Sequence, residues 1–285
     1  MGNSLFAPII FVLLFWWLST GAILGLSRIN KRWFNLAACV SLVVGVVGTV
    51  GIALLREDQT QFGAYLGFSF GVLIWGAHEA LFLLGFVNGP RRDPCPPGLR
   101  IFKRFIASTE TVIHHEVFLA THALVLFLLS AGADNKVGAL TFALLWAMRL
   151  TAKLVIFFGA PNVSRELLPD HLKYLGTYFT QKANLVPASL AIVFALAVTI
   201  SFGGLAFASE AESMSWVGYS LLTTLAALAF LEHVALVAPV PDPTLWGWAM
   251  GNENPVNAIV SNVRSTPSPS VQQRKSNLEP LPGEL

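Results

Sequence analysis

An apolar stretch near the middle of the chain carries five side chains that can ionise or bind a metal. Glu110, His114, His115 and Glu116 lie within seven positions, and His122 follows six residues after Glu116. A charged group at the centre of a bilayer costs roughly 2.5–3.5 kcal/mol on insertion scales, so residues of this kind generally have partners and a function. Imidazole and carboxylate groups bind protons, metal ions and the central metals of tetrapyrroles. The stretch therefore predicts a buried polar site.

Three other apolar stretches contribute polar residues at a similar depth. They contain His78 and Glu79, Arg149 and Lys153, and Glu232 and His233. At 1.5 Å per residue, most of these groups are expected within roughly 5–16 Å of the same membrane boundary. In the middle stretch, Glu110 and His114 are four residues apart and are expected on one helix face, whereas His114 and His115 point in different directions. The sequence thus predicts one polar layer built by four helices, with His122 lying deeper.

One interpretation of this layer is a pigment or haem site. An axial imidazole nitrogen is a common ligand of haem iron, and the Mg of a chlorophyll-type pigment takes an axial ligand in the same way. The candidate ligands are His78, His114, His115 and His122. Nearby Glu and Arg side chains would then polarise pigment carbonyls or orient the imidazoles.

A second interpretation is a metal site for Fe, Mn or Zn, and a third is a packing network without a ligand. The candidate metal ligands or acid–base groups are Glu79, Glu110, His114, Glu116 and His233. Four carboxylates, including Glu232, face two cations, Arg149 and Lys153, which are the expected charge partners. The carboxylates therefore outnumber the cations by two. A divalent metal, two protonated carboxyl groups or two histidinium ions would each balance this excess of negative charge. A buried network of ion pairs and hydrogen bonds that fixes helix packing fits the same residues, so all three interpretations remain open.

Composition identifies the elements that must position these residues. Apolar residues make up 54% of the 285 and charged residues only 12%, about half the charged fraction of a soluble domain. A bilayer core of about 30 Å needs about 20 apolar residues in a helix. The fold expected is all-α, a polytopic membrane protein with seven transmembrane helices in one bundle. The expected spans are residues 7–26, 34–55, 62–86, 105–130, 137–158, 185–208 and 215–236.

The distribution of basic residues predicts the orientation of this bundle. Loops one, three and five and the C-terminal tail are rich in basic residues, whereas the loops at the opposite end of the bundle offer only Arg56 and Lys136. Cytoplasmic loops are enriched in Lys and Arg, so we expect the N-terminus outside and the C-terminus in the cytoplasm. Loops one, three and five and the C-terminal tail hold Arg28, Lys31, Arg32, Arg91, Arg92, Arg100, Lys103, Arg104, Arg165, Lys173, Lys182, Arg264, Arg274 and Lys275.

Two further segments are expected at the cytoplasmic side. Within residues 164–182, apolar side chains recur at helical spacing, which predicts a short interfacial helix in loop five with a hydrated His171. Residues 1–250 are expected to form the transmembrane domain, and the Ser-, Asn-, Pro- and Gln-rich residues 251–285 a disordered cytoplasmic tail. The chain has no nucleotide-binding or nucleophile-elbow motif and no nucleic-acid signature.

Several segments of the sequence resemble those of the PuhE family, the photosynthetic complex assembly protein 2 of phototrophic proteobacteria. The longest is GAPNVSRELLPDHLKYLGTYF at residues 159–179. WGAHE at 75–79, IHHE at 113–116 and PDPTLW at 241–246 resemble the family's other signature segments. The resemblance covers about residues 5–250.

This resemblance implies a role in building the photosynthetic apparatus. It implies assembly of the reaction centre and its core antenna, handling of bacteriochlorophyll or nascent subunits, and a place in the bacterial inner or intracytoplasmic membrane. It brings no catalytic mechanism and no role for individual residues. The expected function is therefore an assembly factor in the lipid bilayer. The alternative is a membrane metalloenzyme acting on a lipophilic tetrapyrrole, quinone or carotenoid.

Overall fold

The protein is described here by a computed structural model that covers residues 2–26, 28–163, 168–180, 182 and 184–238. Within these ranges every regular element is helical. The PDPTLW segment, the expected tail and Arg165 lie outside the described residues. The α-helices are α1 Gly2–Leu26, α2 Phe34–Leu54, α3 Gln61–Leu83, α4 Ile101–Thr109, α5 Ile113–Leu129, α6 Val137–Gly159, α7 Leu185–Ala208 and α8 Met214–Ala235.

Among the described residues, six helices are long and apolar enough to cross a membrane: α1, α2, α3, α6, α7 and α8. A seventh span results if α4 and α5 are counted together, although the two helices meet at 64°. The expectation of a polytopic helical membrane bundle is therefore confirmed. The expectation of one continuous helix over residues 105–130 is wrong, because that stretch is broken between Thr109 and Ile113.

Loop three accounts for the break between α4 and α5. The Gly89 N–H donates to the Thr111 carbonyl at 2.8 Å, and the Arg91 N–H donates to the Glu110 carbonyl at 3.3 Å. These two carbonyls therefore bond to the loop rather than continuing one helical ladder. A Cβ atom at Gly89 would lie 1.8 Å from the Glu110 carbonyl oxygen, so only glycine allows the loop to approach this closely.

The loops meet in two groups at opposite ends of the bundle. At one end, called the basic end, His171 Nε2 is 2.8 Å from the Leu83 carbonyl, and the Cys95 N–H donates to Thr177 at 2.8 Å. At the other end, Arg56 donates to the Ala131 carbonyl at 3.0 Å. Loops three and five thus share one end, and the ring of Phe34, which follows loop one, lies 5.7 Å from the His171 ring at the same end. Which end faces the cytoplasm stays a prediction.

α3 is the central helix of the region that carries the polar residues. It packs against α1, α2, α6 and α8. A Cβ atom at Gly71 would lie 2.6 Å from the Gly138 carbonyl oxygen, so the backbones of α3 and α6 are nearly in contact there. Small residues allow such close approaches between membrane helices. This contact fixes the spacing between the polar side chains farther along α3 and α6.

The expected helix of loop five is present, but it is a 3-10 helix, Asp170–Tyr178. Its Leu172 and Leu175 are buried against Phe82 of α3. His171 was expected to be hydrated, but its imidazole is half-buried between the Leu83 carbonyl and the Phe34 ring, 5.7 Å away. The segment therefore packs onto the basic end of the bundle.

Candidate functional site

A polar layer, buried or half-buried except for Arg149 at its edge, lies between α3, α5 and α6. Its members are His78, Glu79, His115, Glu116, His122, Arg149 and Lys153. Each lies on a long apolar helix, so its local structure follows from the hydrophobic pattern. Its partners come from the packing of one helix on another.

One side of the layer is a chain of hydrogen bonds. The Thr49 hydroxyl of α2 donates to the Gly45 carbonyl at 2.7 Å and lies 2.9 Å from His122 Nε2. His122 Nδ1 lies 2.8 Å from His78 Nε2, so one of these two nitrogens donates to the other. The remaining nitrogen, His78 Nδ1, is buried and has no hydrogen-bond partner among the described residues.

The next side of the layer is an incompletely bonded carboxylate–imidazole pair. Glu79 Oε2 is 3.5 Å from Arg149 Nη2, and Glu79 Oε1 is 3.5 Å from His115 Nε2. Both distances exceed those of good charge-assisted hydrogen bonds. Neither ring nitrogen of His115 has a hydrogen-bond partner within the described part of the chain. Buried polar atoms without partners are uncommon in proteins and call for an explanation.

The third side of the layer is a complete ion pair. Lys153 Nζ lies 2.5 Å from Glu116 Oε1, and the indole N–H of Trp146 donates to Glu116 Oε2 at 3.3 Å. Lys153 also lies 5.7 Å from the centre of the Phe82 ring. This group ties α5 to α6. Arg149 and Lys153 thus lie beside Glu79 and Glu116, and their role as charge partners stays a prediction.

Three predicted site residues lie outside the layer. His114 is exposed on α5. Glu110 lies at the break before α5 and pairs with Arg91 of loop three at 2.7 Å, so it does not share a helix face with His114. His233 is buried on α8, where Nδ1 is 2.7 Å from the Ala229 carbonyl and Nε2 is 2.9 Å from the Thr151 hydroxyl.

These positions bear on the metal interpretation. The charge count assumed that Glu110 lies within a span without a partner, but Arg91 supplies one of the two missing positive charges. In the described ranges, no three His, Cys, Asp or Glu side chains are arranged so that they could hold a metal ion. The set Glu79, Glu110, His114, Glu116 and His233 is therefore not brought together here, and its metal-binding role stays a prediction.

The pigment interpretation can be tested against two requirements, a free nitrogen and access. His78 and His115 have free nitrogens, but the Phe118 and Phe82 rings cover them at centroid distances of 4.3 and 4.6 Å. Both ring nitrogens of His122 are hydrogen-bonded. His114 alone of these four histidines is exposed. In this conformation, access for a large planar ligand therefore exists at His114 and not at the other three.

Several partners of the predicted site residues, inside and outside the layer, were not predicted from the sequence. Thr49, Trp146 and Thr151 belong to common residue types, and nothing in their local sequence marks them as partners of histidine or glutamate. Arg91 belongs to the basic loop that predicts the orientation of the bundle, and its pairing with Glu110 was not predicted. A search for polar residues within otherwise apolar helices would have identified Thr49 and Thr151, but it would not have shown which histidines they contact.

Comparison with known proteins links the whole membrane region to one family. A family model described as “Protein of unknown function (DUF3623)” matches residues 2–257, which include every residue of the layer. The chain is also 35% identical over 258 residues to the “Uncharacterized 30.4 kDa protein in puhA 5'region” of Rhodobacter capsulatus. That alignment covers 87% of this chain and 92% of the relative. No solved structure matches the chain.

Proposed function

The chain belongs to the family described as “Protein of unknown function (DUF3623)”, and from its relative in the puhA region we propose that it helps to assemble a photosynthetic complex in the membrane. The observation that carries this proposal is the position of that relative's gene, in the puhA region of a photosynthesis gene cluster. The alignment extends over 87% of this chain, so it includes the polar layer. The resemblance of several sequence words to the PuhE family supports the same conclusion.

The complex proposed is the reaction centre with its core antenna. The proposed location is the bacterial inner or intracytoplasmic membrane, with the basic end in the cytoplasm. The long apolar helices and the uneven distribution of Lys and Arg support this location. Genes for assembly factors commonly accompany the genes of their complexes.

The proposed mechanism is that of a scaffold for nascent subunits, for bacteriochlorophyll, or for both. α5 presents an outward face of exposed apolar side chains, including Val117, Leu124 and Leu128, which suits contact with another transmembrane helix. On its inner face, Glu116 and Lys153 tie α5 to α6. The scaffold therefore has a rigid inner side and an outer side that is open within the membrane.

Bacteriochlorophyll would be held through a histidine nitrogen. When bound, the pigment would supply the absorbing tetrapyrrole and its central Mg, while the protein would supply the nitrogen. His114 has the access that this role needs. His78 and His115 have the free nitrogens but are enclosed by phenylalanine rings, so they are second candidates that would require α5 to move.

Deletion of the gene in a phototrophic host that encodes this chain tests the proposed function. We expect less core complex in the near-infrared absorption of isolated membranes, while the extracted pigments keep their normal chemical structures. Accumulation of an unreacted biosynthetic intermediate would instead identify an enzyme and overturn the assembly proposal. Unchanged core-complex levels would overturn it as well.

Complementation distinguishes a scaffold that holds bacteriochlorophyll from one that acts only on nascent subunits. The deletion strain would receive wild-type protein, His114→Leu or, as a control on the same exposed surface, Thr121→Val. If the protein holds pigment through His114, only His114→Leu should lose restored core complex and lose near-infrared pigment bands from the purified protein. If all three restore the complex, the scaffold acts on subunits and the pigment role of His114 is wrong.

A further inference from the structure

The short helix α4 has three chemically different sides. Ile101, Phe102, Phe105 and Ile106 share one side and are exposed, with Phe102 at 71%. Arg104 and Ser108 lie on a second side, towards the body of the protein. Lys103, Ala107 and the following Glu110 lie on a third side. A helix with this distribution, joined to α5 at 64°, is suited to lie along a membrane surface with its aromatic side in the acyl boundary.

α4 is held firmly in this position. The Arg104 guanidinium donates to the carbonyls of Phe157 at 3.2 Å and Tyr178 at 2.6 Å, and to the Thr180 hydroxyl. The same guanidinium lies 4.8 Å from the centre of the Phe157 ring. The end of α6, the loop-five 3-10 helix and α4 are therefore joined through one side chain. The third side of α4 is consequently preorganised and does not have to form when a ligand arrives.

A cavity of about 220 Å³ opens along this third side. Its apolar wall includes Leu99, Ile106 and Ala107, and its polar groups are Arg91, Lys103 and Glu110. Arg91 is already paired with Glu110 at 2.7 Å, and this hydrogen bond raises the pKa of the guanidinium. Lys103 is exposed and has no ion-pair partner among the described residues. With two cations and one carboxylate, the cavity has a net positive charge.

We propose that this cavity binds the phosphate headgroup of an anionic phospholipid. Lys103 is the primary cation, Arg91 is shared between the phosphate and Glu110, and Leu99 and Ile106 contact the upper part of the acyl chains. Three features favour a lipid: the net positive charge, the apolar wall, and the exposed aromatic side of the same helix at the membrane surface. An anionic headgroup joined to acyl chains matches all three, whereas a free anion matches only the first.

Lipid binding to the purified full-length protein tests this site. Phosphatidylglycerol or phosphatidylcholine with the same acyl chains would be titrated in detergent micelles, and bound lipids counted by native mass spectrometry. We expect the wild-type protein to bind one phosphatidylglycerol more tightly than phosphatidylcholine. Lys103→Gln should weaken the binding about fivefold, the change expected for one basic residue near an anionic surface. Lys31→Gln, which removes an exposed charge at the same end but outside the cavity, should leave it unchanged.

A second variant moves the result in the opposite direction. Glu110→Gln removes the only carboxylate of the cavity and releases Arg91, so it should strengthen phosphatidylglycerol binding by a similar factor. A structural defect could weaken binding but would not strengthen it. Equal losses in Lys103→Gln and Lys31→Gln would overturn the proposal, as would equal binding of the two lipids. Displacement of phosphatidylglycerol by millimolar inorganic phosphate, or the finding of a bound protein subunit there instead of lipid, would also overturn it.

Discussion

Two histidines of this bundle are equally buried, but their surroundings differ. His233, between α6 and α8, is 1% exposed, and both of its ring nitrogens have partners, at 2.7 and 2.9 Å. His115, between α3, α5 and α6, is 0% exposed, and neither of its nitrogens has a hydrogen-bond partner in the described structure. Its nearest acidic atom, Glu79 Oε1, is 3.5 Å away.

This difference shows that burial alone does not identify a functional histidine. An unsatisfied buried polar group costs about 1–3 kcal/mol, whereas a satisfied one is close to neutral. The α6–α8 region is therefore interpreted as structural. The α3–α5 region keeps unsatisfied atoms on His78, Glu79 and His115, and we interpret it as the region whose chemistry serves the proposed function.

The largest effect is expected from removing the cation beside Glu79. Arg149→Met leaves a carboxylate buried without its cation, and we expect a loss of about 3 kcal/mol, at the lower end for a buried pair because Arg149 is 49% exposed. Reversible denaturation in mixed micelles measures this loss. The double variant Glu79→Gln/Arg149→Met should recover most of it, and Lys136→Met should change little. No loss in Arg149→Met would mean that Glu79 is neutral.

A smaller effect is expected from removing the hydrogen bond between Thr151 of α6 and His233 of α8. Thr151→Val removes the hydroxyl that serves His233 Nε2, which leaves a buried nitrogen unsatisfied and should cost about 1–2 kcal/mol. The same denaturation measurement applies. Thr121→Val is the matched control, because the exposed Thr121 hydroxyl bonds only to the Val117 carbonyl of its own helix. Equal effects in both variants would mean that the His233 contact adds nothing to stability.

His115→Leu should not lower stability and should raise it by about 1 kcal/mol, although His115 is fully enclosed. The substitution removes two nitrogens that have no hydrogen-bond partners among the described residues, and a buried polar atom without a partner costs folding free energy. Core-complex assembly in the complemented deletion strain should nevertheless fall. A loss of stability as large as that of Thr151→Val would make His115 a structural residue and remove the contrast with His233.

The smallest effect is expected for Asp58, whose carboxylate has hydrogen-bond partners but lies outside the membrane-spanning helices, between α2 and α3. The hydroxyl and N–H of Thr60 donate to Asp58 at 2.6 and 2.8 Å, and these bonds lower the pKa of Asp58 below its ordinary value of 3.8. Because the folded pKa is lowered, the stabilisation is present above about pH 4 and is lost as the pH falls through the folded pKa. Thermal denaturation at pH 6 and at pH 3 should show a smaller pH dependence in Asp58→Asn than in wild type. The exposed neighbour Glu57 provides the control, since Glu57→Gln should preserve the wild-type pH dependence.

Much of the fold could be predicted from the sequence because hydrophobicity acts locally. The last expected span, residues 215–236, differs from α8 by one residue at each end, and the expected span 185–208 has the same bounds as α7. The break between α4 and α5 could not be predicted in this way. The Glu-Thr-Val sequence at 110–112 contains no helix breaker, and the break depends on hydrogen bonds from Gly89 and Arg91.

The candidate site was predicted in composition but not in connectivity. The sequence placed His78 and His115 at a comparable depth and His122 deeper, and the structure brings His78 and His122 into direct contact. It could not show that His114 is exposed while its neighbour His115 is enclosed. In a helix that is apolar on all sides, no hydrophobic pattern fixes its rotation.

The sequence by itself determined the class of this protein, the number of apolar stretches and the presence of ionisable residues within them. These properties depend on the free energy of transferring local segments into a bilayer. Only the tertiary structure decided that Arg91 pairs with Glu110, that Thr49, His122 and His78 form one chain of contacts, and that His115 has no hydrogen-bond partner among the described residues. Those contacts join residues far apart in the chain, and they depend on the helix rotations and distances that close packing of whole helices imposes.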